Sequence, residues 1–532
     1  MSTAPQIAAQ TSPTATHAQN RTEVFAVHGA DPEVLAYAMA KYSRSSLSMR
    51  QSLREISSQR AEQFLNTFYF QYGHRSIADL AHVAFAIERL SLLAAIVLVD
   101  EQRWDGQERS TRYQNFLKSG WYLPDFGEAA EARSLYSETV ENLFAAYAST
   151  SAAVFEALKS RVACPAELKQ DSYERTLKAR AFDVARYLLP LATNTSLGQI
   201  VNARTLETQV SRLLSHPAAE IRDLGNKLRE AATGPAWNLH AEAHADLQSK
   251  IATVSADLAA ESEPLLTREV HASPTLVKYA QPNPYEIQSH AELTQAAAEL
   301  LANVPIAPAP VVDLVERTET LEVELAATLI YSASHHPYRQ IRDLLAGAPA
   351  ARIEEIVEIG LRHRGRHDEL LRAFHAGAQL RFDILMDIGG FRDMHRHRRC
   401  TQIIQEFTYL HGYDTPESGD AAGLAEAGVL AEYQASVEAA FAASRQIAAS
   451  LAPEAAQSAL YLLPLATRIR SLFKMDFAEA VYISELRSGP AGHFSYRNVA
   501  WEMYLAVQRQ HPSLARYFRV TDFTEPIDIL KR

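Results

Sequence analysis

Apolar residues recur every three to four positions along much of the chain, which is the spacing of one buried face of an α-helix. One such stretch covers residues 129–161, and we expect a long helix there. Strand-like runs are fewer and fall at residues 23–27, 84–87 with a continuation to 99, 311–315 and 380–388. The pattern predicts a helix-rich chain whose helices flank a modest sheet.

One heptapeptide, Tyr-Leu-Leu-Pro-Leu-Ala-Thr, fills residues 187–193 and again residues 461–467. An arginine-rich segment follows each occurrence, 32 to 33 residues downstream of its proline. Chance rarely produces such a pair, so we interpret the chain as an internal duplication with a first repeat at residues 21–260 and a second at 263–532. Each repeat is far longer than the ~20–50 residues of a solenoid unit and has the size of a domain.

The composition narrows the class of protein. With 532 residues, 47% of them hydrophobic, the chain can bury two sizeable cores. A formal net charge of -11 argues against broad nucleic-acid binding, and no apolar run approaches the ~18–20 residues of a membrane helix. Two cysteines fit a reducing cytoplasm, and residues 1–20, which contain no Lys or Arg, read as a disordered tail.

The densest chemical cluster is at residues 391–401, with four arginines and two histidines in eleven positions. Guanidinium groups bind phosphate through paired, charge-assisted hydrogen bonds, and the cluster follows the predicted strand at 380–388, so we expect a site for a phosphate-bearing small molecule. Two alternatives remain at this stage. The cluster could be a solvated basic face paired with nearby acids, or His395 and His397 could ligate a metal, although adjacent arginines would repel a divalent ion.

The cluster resembles part of the signature RHRxxSxNExSxRY of the flavin-dependent thymidylate synthases. Arg396, His397 and Arg398 match its first triplet, but the second repeat keeps little of the remainder. The first repeat has the reverse pattern: residues 107–113 match the end of the signature, whereas residues 100–102 replace the triplet. A shift of one residue would place Arg103 in the triplet instead.

Further stretches are similar to the same family. Residues 73–76, which include His74 and Ser76, resemble a GHxSxxE element with Asp79 in place of Glu. Arg186 and residues 202–204, Asn202-Ala203-Arg204, resemble an RxxLP segment leading to NAR. In the second repeat Leu460 and residues 476–478 stand at those positions, so both elements are lost there.

A last element, LRxxxxAQxEIR, is matched by Arg487 and Arg497 in the second repeat. Its counterpart in the first repeat runs from Arg212 to Arg222, but it needs one deletion upstream, so the assignment of Arg212 stays open.

The resemblance implies an α+β, helix-rich fold of two tandem domains of this family, each a mostly antiparallel sheet flanked by helices. It implies a homodimer of two-domain chains that converts dUMP to dTMP by reductive methylation, with FAD as cofactor and with NADPH and methylenetetrahydrofolate as co-substrates. It assigns Arg487 to catalysis, by polarising the pyrimidine. It assigns to substrate binding Ser110, Arg112, Arg186, Glu108 and Arg212, and to flavin binding Arg396, His397, Arg398, Asn202, Arg204, His74 and Ser76.

The reciprocal losses suggest composite sites that draw the Arg-His-Arg triplet from one repeat and the remaining elements from the other. Asp393 departs from the family, because it replaces a Gln expected near the nucleotide, and residues 376–377 replace an expected Glu-His. Two other functions stay open: a diverged paralogue that binds flavin or nucleotide without this activity, and a flavin enzyme that modifies another uridine-type nucleotide. The matched residues also have structural alternatives, since Asn202 could cap a helix and Ser110 with Arg112 could close a turn.

Overall fold

The computed structural model describes residues 29–41, 63, 75–278, 280–365, 368–416 and 423–530. Its helices in the first half are α1 (Pro32–Lys41), α2 (Leu92–Leu98), α3 (Ala130–Arg161), α4 (Gln170–Ala185), α5 (Ala203–Leu214), α6 (Ala219–Thr233), α7 (Ala241–Val254) and α8 (Ala256–Leu266). Those in the second half are α9 (Pro284–Leu300), α10 (Leu321–Ser332), α11 (Tyr338–Ala346), α12 (Ala350–Ile359), α13 (Ile388–Met394), α14 (Leu430–Ser450), α15 (Pro453–Ala456), α16 (Phe477–Ser488), α17 (Phe494–Gln510) and α18 (Pro512–Ala515). Short 3₁₀ segments lie at Arg75–Leu80, Arg186–Leu188, Arg372–Phe374 and Gln457–Leu462.

The strands of the described residues form two small antiparallel sheets. The first has the order β1-β3-β2, and the second has the order β4-β5-β7-β6. The strands are β1 (His82–Ser91), β2 (Asp105–Glu108), β3 (Asn194–Asn202), β4 (Val312–Leu314), β5 (Leu380–Asp387), β6 (Thr401–Ile404) and β7 (Arg468–Met475). The predicted helix-rich α+β fold is confirmed, and no helix in the described ranges combines the length and apolarity needed to cross a membrane.

Most of the individual predictions agree with these elements. The long helix at 129–161 is α3, and the strands at 84–87, 311–315 and 380–388 correspond to β1, β4 and β5. The continuation of the first strand to residue 99 is wrong, because the chain turns into helix α2 after Ser91. The Ser91 side chain accepts a hydrogen bond from the backbone N–H of Ala94 and so starts that helix. The strand predicted at 23–27 lies outside the described residues.

The duplication is visible in the order of elements. Both repeats run strand, short helix, short strand, long helix, a further helix, 3₁₀ segment, strand and two helices. In the first repeat this order starts at β1 and ends with α6; in the second it starts at β5 and ends with α17. The three corresponding strands also have the same order in the two sheets, with the last strand in the centre.

The repeated heptapeptides pair with each other. The backbone N–H of Leu191 donates to the carbonyl of Leu463 at 2.9 Å, and that of Leu465 donates to the carbonyl of Leu189 at the same distance. These are equivalent atoms with their roles exchanged, so a pseudo-two-fold axis passes between the heptapeptides. One hydrophobic cluster runs through both repeats from Ala36 to Phe518, so the two halves share a core.

Strand register fixes how the repeats correspond near the basic cluster. Asp105 pairs with Ile200 in the first sheet, and Thr401 pairs with Lys474 in the second. Ile200 and Lys474 each lie seven residues beyond the end of a heptapeptide, which makes them equivalent. Residues 100–102 therefore correspond to 396–398 without a shift, and Arg103 is not part of the replaced triplet.

Candidate functional site between the two repeats

Arg112 connects the two repeats through a buried ion pair. It follows β2, and its Nε donates to Oδ1 of Asp183 on α4 at 2.8 Å, while Nη2 reaches Oδ2 at 3.2 Å. The other donors cross to the second repeat, where Nη1 binds the hydroxyl of Tyr496 at 2.7 Å and Nη2 binds the carbonyl of Ala491 at 3.1 Å. Burial alone would lower the pKa of Arg112, but Asp183 outweighs it and raises that pKa.

Arg186 lies beside this pair at the end of α4. Its side chain is 2% exposed, and Nη1 stands 3.5 Å from Oδ2 of Asp393 on α13 and 3.4 Å from the hydroxyl of Thr111. The Nε and Nη2 atoms of Arg186 are buried without a hydrogen-bond partner among the described residues, and so is Oδ2 of Asp393. Buried polar atoms are nearly always satisfied in folded proteins, so these three atoms mark a place for a ligand or water.

Asp393 is the electrostatic centre of the site. Burial would raise the pKa of its carboxyl, but the guanidinium groups of Arg186, Arg112, Arg396 and Arg487 outweigh burial and lower the pKa. The carboxyl is therefore ionised at neutral pH. Residues from both repeats surround it, because Arg112 and Arg186 belong to the first and Arg396 and Arg487 to the second.

Arg487 is held by a histidine of the basic cluster. From α16 its Nε donates to Nε2 of His397 at 2.7 Å, and its guanidinium carbon lies 5.4 Å from the ring centroid of Tyr496. Burial, together with Arg487 and Arg398, lowers the pKa of His397 to about 3. His397 is therefore neutral at physiological pH, and its Nε2 is free to accept the hydrogen bond that orients Arg487.

Arg398 contributes to a separate cavity of about 300 Å³ that is otherwise lined by the first repeat. Its guanidinium carbon lies 4.3 Å from the ring centroid of Trp104, and Asn202 lines the same cavity. Burial lowers the pKa of Arg398 to about 10, with Asp105 opposing the shift and Arg396 adding to it. The Nε of Arg398 is buried without a hydrogen-bond partner in the described part of the chain, so the cavity suits an anionic or hydrogen-bond-accepting group.

The equivalent region of the first repeat carries acids where the second carries bases. Glu101 occupies the position of His397, and it binds Arg212 at 2.7 Å just as His397 binds Arg487. Counted from the heptapeptides, Arg212 is equivalent in sequence to Leu486. Its contact with Glu101 nevertheless makes it the structural counterpart of Arg487. Asp100, at the position of Arg396, forms an ion pair with Arg372, and this pair and its neighbours lower the pKa of Asp100 although burial opposes them.

Several candidate residues are hydrogen-bonded or ion-paired to other residues of the chain. The Oδ1 of Asn202 caps α5 by accepting from the N–H of Thr205 at 2.8 Å. Arg204 forms ion pairs with Asp79 at 3.5 Å and Glu369 at 3.1 Å. The Asn202-Ala203-Arg204 element therefore starts helix α5 and lies near the cavity. This position is compatible with flavin binding and with a purely helix-capping role.

Four other candidates remain, and the structure places them differently. The hydroxyl of Ser110 accepts from the backbone N–H of Arg112 at 3.2 Å and so closes the turn that positions that arginine. Glu108 forms a buried ion pair with Arg392 across the two repeats. Ser76 lies in the segment Arg75–Leu80, and His74 is outside the described residues.

Sequence reasoning missed the partners that organise the site. Asp183 precedes Arg186 by three residues on a helical segment, which is a signal that they share a face, but nothing in the sequence pairs it with Arg112. Tyr496 and Ala491 reach the site from the loop and helix before Arg497, a contact that only the fold creates. Among the described residues no group of three or more His, Cys, Asp or Glu is arranged to hold a metal ion.

The fold and the site together define a tandem α+β protein in which two copies of one domain share a basic site across a pseudo-two-fold axis. The model of the thymidylate synthase complementing protein family matches residues 26–234 and again 313–513. The chain belongs to this family, and the two matches confirm the duplication.

Known relatives fall into two groups. The UPF0159 protein of Chlamydia muridarum is 28% identical over 535 residues, covering 93% of this chain and 91% of the relative. The flavin-dependent thymidylate synthase of Clostridium tetani is 26% identical over 214 residues, covering 39% of this chain and 81% of that enzyme. Among solved structures, thymidylate synthase X of Helicobacter pylori with FAD and dUMP has a TM-score of 0.26 at 18% identity and covers 38% of this chain and 90% of its own.

Proposed function

We propose that the protein is a flavin-dependent enzyme that methylates C5 of a uracil ring, at a composite site built by both repeats. The observation that carries this proposal is the convergence of a divided motif set. Arg112 and Arg186 come from the first repeat and Arg396 and Arg487 from the second, and all four act on the carboxyl of Asp393. Each repeat lacks the part that the other supplies.

The flavin would lie against the cavity of Arg398, Trp104 and Asn202. Its volume of about 300 Å³ is at the lower end of the ~300–1,000 Å³ of small-molecule pockets, so it would hold one part of a dinucleotide such as FAD. The buried, unpartnered Nε of Arg398 fits a phosphate or ring acceptor of that cofactor. When bound, FAD would take a hydride from NADPH and deliver it to the carbon supplied by methylenetetrahydrofolate.

Arg487 is the residue suited to activate the pyrimidine. A guanidinium beside a uracil carbonyl stabilises the negative charge that develops on the ring as C5 attacks the one-carbon unit. His397, as a neutral acceptor, fixes the direction of that guanidinium, whose carbon lies 5.4 Å from the ring centroid of Tyr496. His397 is therefore a positioning residue, and Arg487 is the group that would contact the substrate.

The opposite site across the pseudo-axis is not expected to be competent. Asp100 and Glu101 replace Arg396 and His397 there, and both acids are occupied by arginines of the chain. We therefore propose one competent site per chain, and two in a homodimer of the kind the family uses.

A second function has an observation in its favour. The donors of Arg112 are already occupied by Asp183, Tyr496 and Ala491, which suits a diverged paralogue that binds flavin or nucleotide without this activity. The two functions separate on turnover, since the enzyme oxidises reduced flavin when a uracil compound and methylenetetrahydrofolate are both present, whereas the paralogue does not even where it binds flavin.

The test is an absorbance spectrum of the purified protein followed by titration with FAD. We expect about one FAD per chain. Replacing Arg398 with Ala should weaken FAD binding by about tenfold or more. Its neighbour Arg399, whose side chain is 67% exposed, is the matched control, and Arg399→Ala should leave the affinity within about twofold. Two FAD molecules per chain would contradict the composite site, and no FAD binding would refute the enzyme.

A further inference from the structure

Two of the four arginines at the composite site, Arg112 and Arg186, are paired with acids of the chain itself. Arg112 is held in bidentate contact with Asp183, and Arg186 faces Asp393 at 3.5 Å. A phosphate that approached these guanidinium groups would meet carboxylates already in place.

The same neutralisation is absent on the opposite side of the pseudo-axis. Ser91 and Asp387 cap corresponding helices of the two repeats, and the two heptapeptides also correspond. These correspondences identify the residue of one repeat that is equivalent to each residue of the other. The counterparts of Arg186, Asp183 and Asp393 are Leu460, Gln457 and Val97. The two acids therefore occur only where the arginine occurs, which indicates that they belong to one charge-balanced set.

The unsatisfied atoms specify the chemistry of the missing partner. Arg186 offers two N–H donors, at Nε and Nη2, and Asp393 offers an acceptor at Oδ2, all buried and all without a hydrogen bond in the described chain. A phosphate dianion has only acceptors at neutral pH, so it would leave Asp393 unsatisfied and repel it. A hydroxyl group both donates and accepts, and it can bridge the carboxylate and the guanidinium.

We propose that the composite site takes a pyrimidine nucleoside whose free hydroxyl contacts both the open donors of Arg186 and Oδ2 of Asp393, where a nucleotide would have to bring its phosphate. This inference rests on the proposed function, because that function supplies the uracil ring. It makes Asp393 the residue that sets specificity for a nucleoside over its monophosphate.

The experiment compares 2′-deoxyuridine with dUMP by isothermal titration calorimetry on the full-length protein, with FAD occupancy read from absorbance in the same samples. We expect the wild type to bind 2′-deoxyuridine at least tenfold more tightly than dUMP. Asp393→Asn removes the charge at constant size and should reverse this preference. Asp171→Asn is the matched control, because it removes the same charge from an exposed position ~18 Å along α4 from Asp183, and it should leave the preference unchanged.

The outcomes separate this inference from the proposed function. Tighter binding of dUMP by the wild type, or binding of neither compound, overturns the nucleoside inference even if FAD is bound. Preference for 2′-deoxyuridine in a protein that binds no FAD leaves the nucleoside site standing and refutes the flavin enzyme. Because the wild type alone decides the preference, the conclusion does not depend on how well Asp393→Asn folds.

Discussion

The ion pair between Arg112 and Asp183 should stabilise the fold as well as shape the site. The two side chains are only 8% and 4% exposed, and Arg112 also donates a hydrogen bond to the hydroxyl of Tyr496 in the other repeat. Removing one partner of a buried pair costs about 3–5 kcal/mol because it leaves an uncompensated charge. Since Arg112 would keep its bonds to Tyr496 and Ala491, we expect Asp183→Asn to lower the free energy of unfolding by about 3 kcal/mol.

The assay is urea denaturation followed by circular dichroism, with wild type and variant compared by linear extrapolation. The control is Asp223→Asn, which breaks an ion pair with Lys227 whose side chains are 59% and 69% exposed, and it should cost less than about 0.5 kcal/mol. The double variant Arg112→Met with Asp183→Leu leaves no unpaired charge, so it should be more stable than Asp183→Asn. Equal effects of Asp183→Asn and Asp223→Asn would refute the reasoning.

Three further predictions follow from individual residues. Burial raises the pKa of Asp387 to about 6, so the folded state holds this proton more tightly than the unfolded state. The free energy of unfolding of the wild type, relative to Asp387→Asn, should therefore fall by up to about 3 kcal/mol as the pH rises from ~4 to ~6. Denaturation of both proteins across that pH range measures this difference. Gly106→Ala places a Cβ 2.3 Å from the carbonyl oxygen of Gly198 and should cost about 1–3 kcal/mol in thermal unfolding, whereas Gly198→Ala, with no atom closer than 3.7 Å, should be nearly neutral. A thiol reagent should modify one cysteine of the native chain, the exposed Cys164, because Cys400 is buried and its pKa is raised to about 12; both should react after denaturation, and rapid reaction of two thiols in the native protein would contradict this.

The elements that the sequence predicts are those whose neighbours in sequence decide their structure. Helix α3 shows a helical period over 32 residues, and β5 has alternating apolar residues and precedes the arginine cluster in the sequence. The duplication was visible because both heptapeptides are under the same constraint, since they pair with each other at the pseudo-axis. Such signals require no knowledge of distant contacts.

The missed strands depend on distant contacts. Strand β2 is the polar segment Asp-Gly-Gln-Glu, which forms a strand only because β3 pairs with it. Strand β7 carries Arg470 and Lys474 in fully buried positions, where Asp383 and Glu324 pair with them. Buried charges hide a core strand from any reading of hydrophobicity, because the partner that makes them tolerable lies elsewhere in the sequence.

The candidate site likewise has residues that the sequence predicts and residues whose role only the fold reveals. Motif matching located the arginines and His397, which are fixed by residue type and spacing. It could identify Asp393 only as a departure, because the reason for the acid is the set of four arginines that the fold gathers around it. The occupation of Arg112 by Asp183 was equally invisible, although it bears directly on what the site can bind.

Fusion of the two domains explains how such a site can arise. In an oligomer of identical subunits, every substitution appears at all equivalent positions, so equivalent positions cannot change independently of one another. One contact shows that the fused chain is free of this constraint. In the first repeat the hydroxyl of Ser91 donates to Glu220 at 2.6 Å, and in the second the hydroxyl of Ser495 donates to Asp387.

Both repeats keep a hydrogen bond between a serine and an acid, but the two residues have exchanged positions. In the first repeat the acid, Glu220, is at the start of a helix, whereas in the second the acid, Asp387, is at the end of a strand. At that new position Arg186 lowers the pKa that burial of Asp387 raises, so the acid has joined the charge balance of the composite site. Where the arginine is absent, the opposite side keeps Ser91 at the strand end and its acid on the helix. The exchange keeps a serine–acid hydrogen bond in both repeats, but only in the second repeat does the acid stand at the strand end, next to Arg186, and this asymmetry suits a single specialised site per chain.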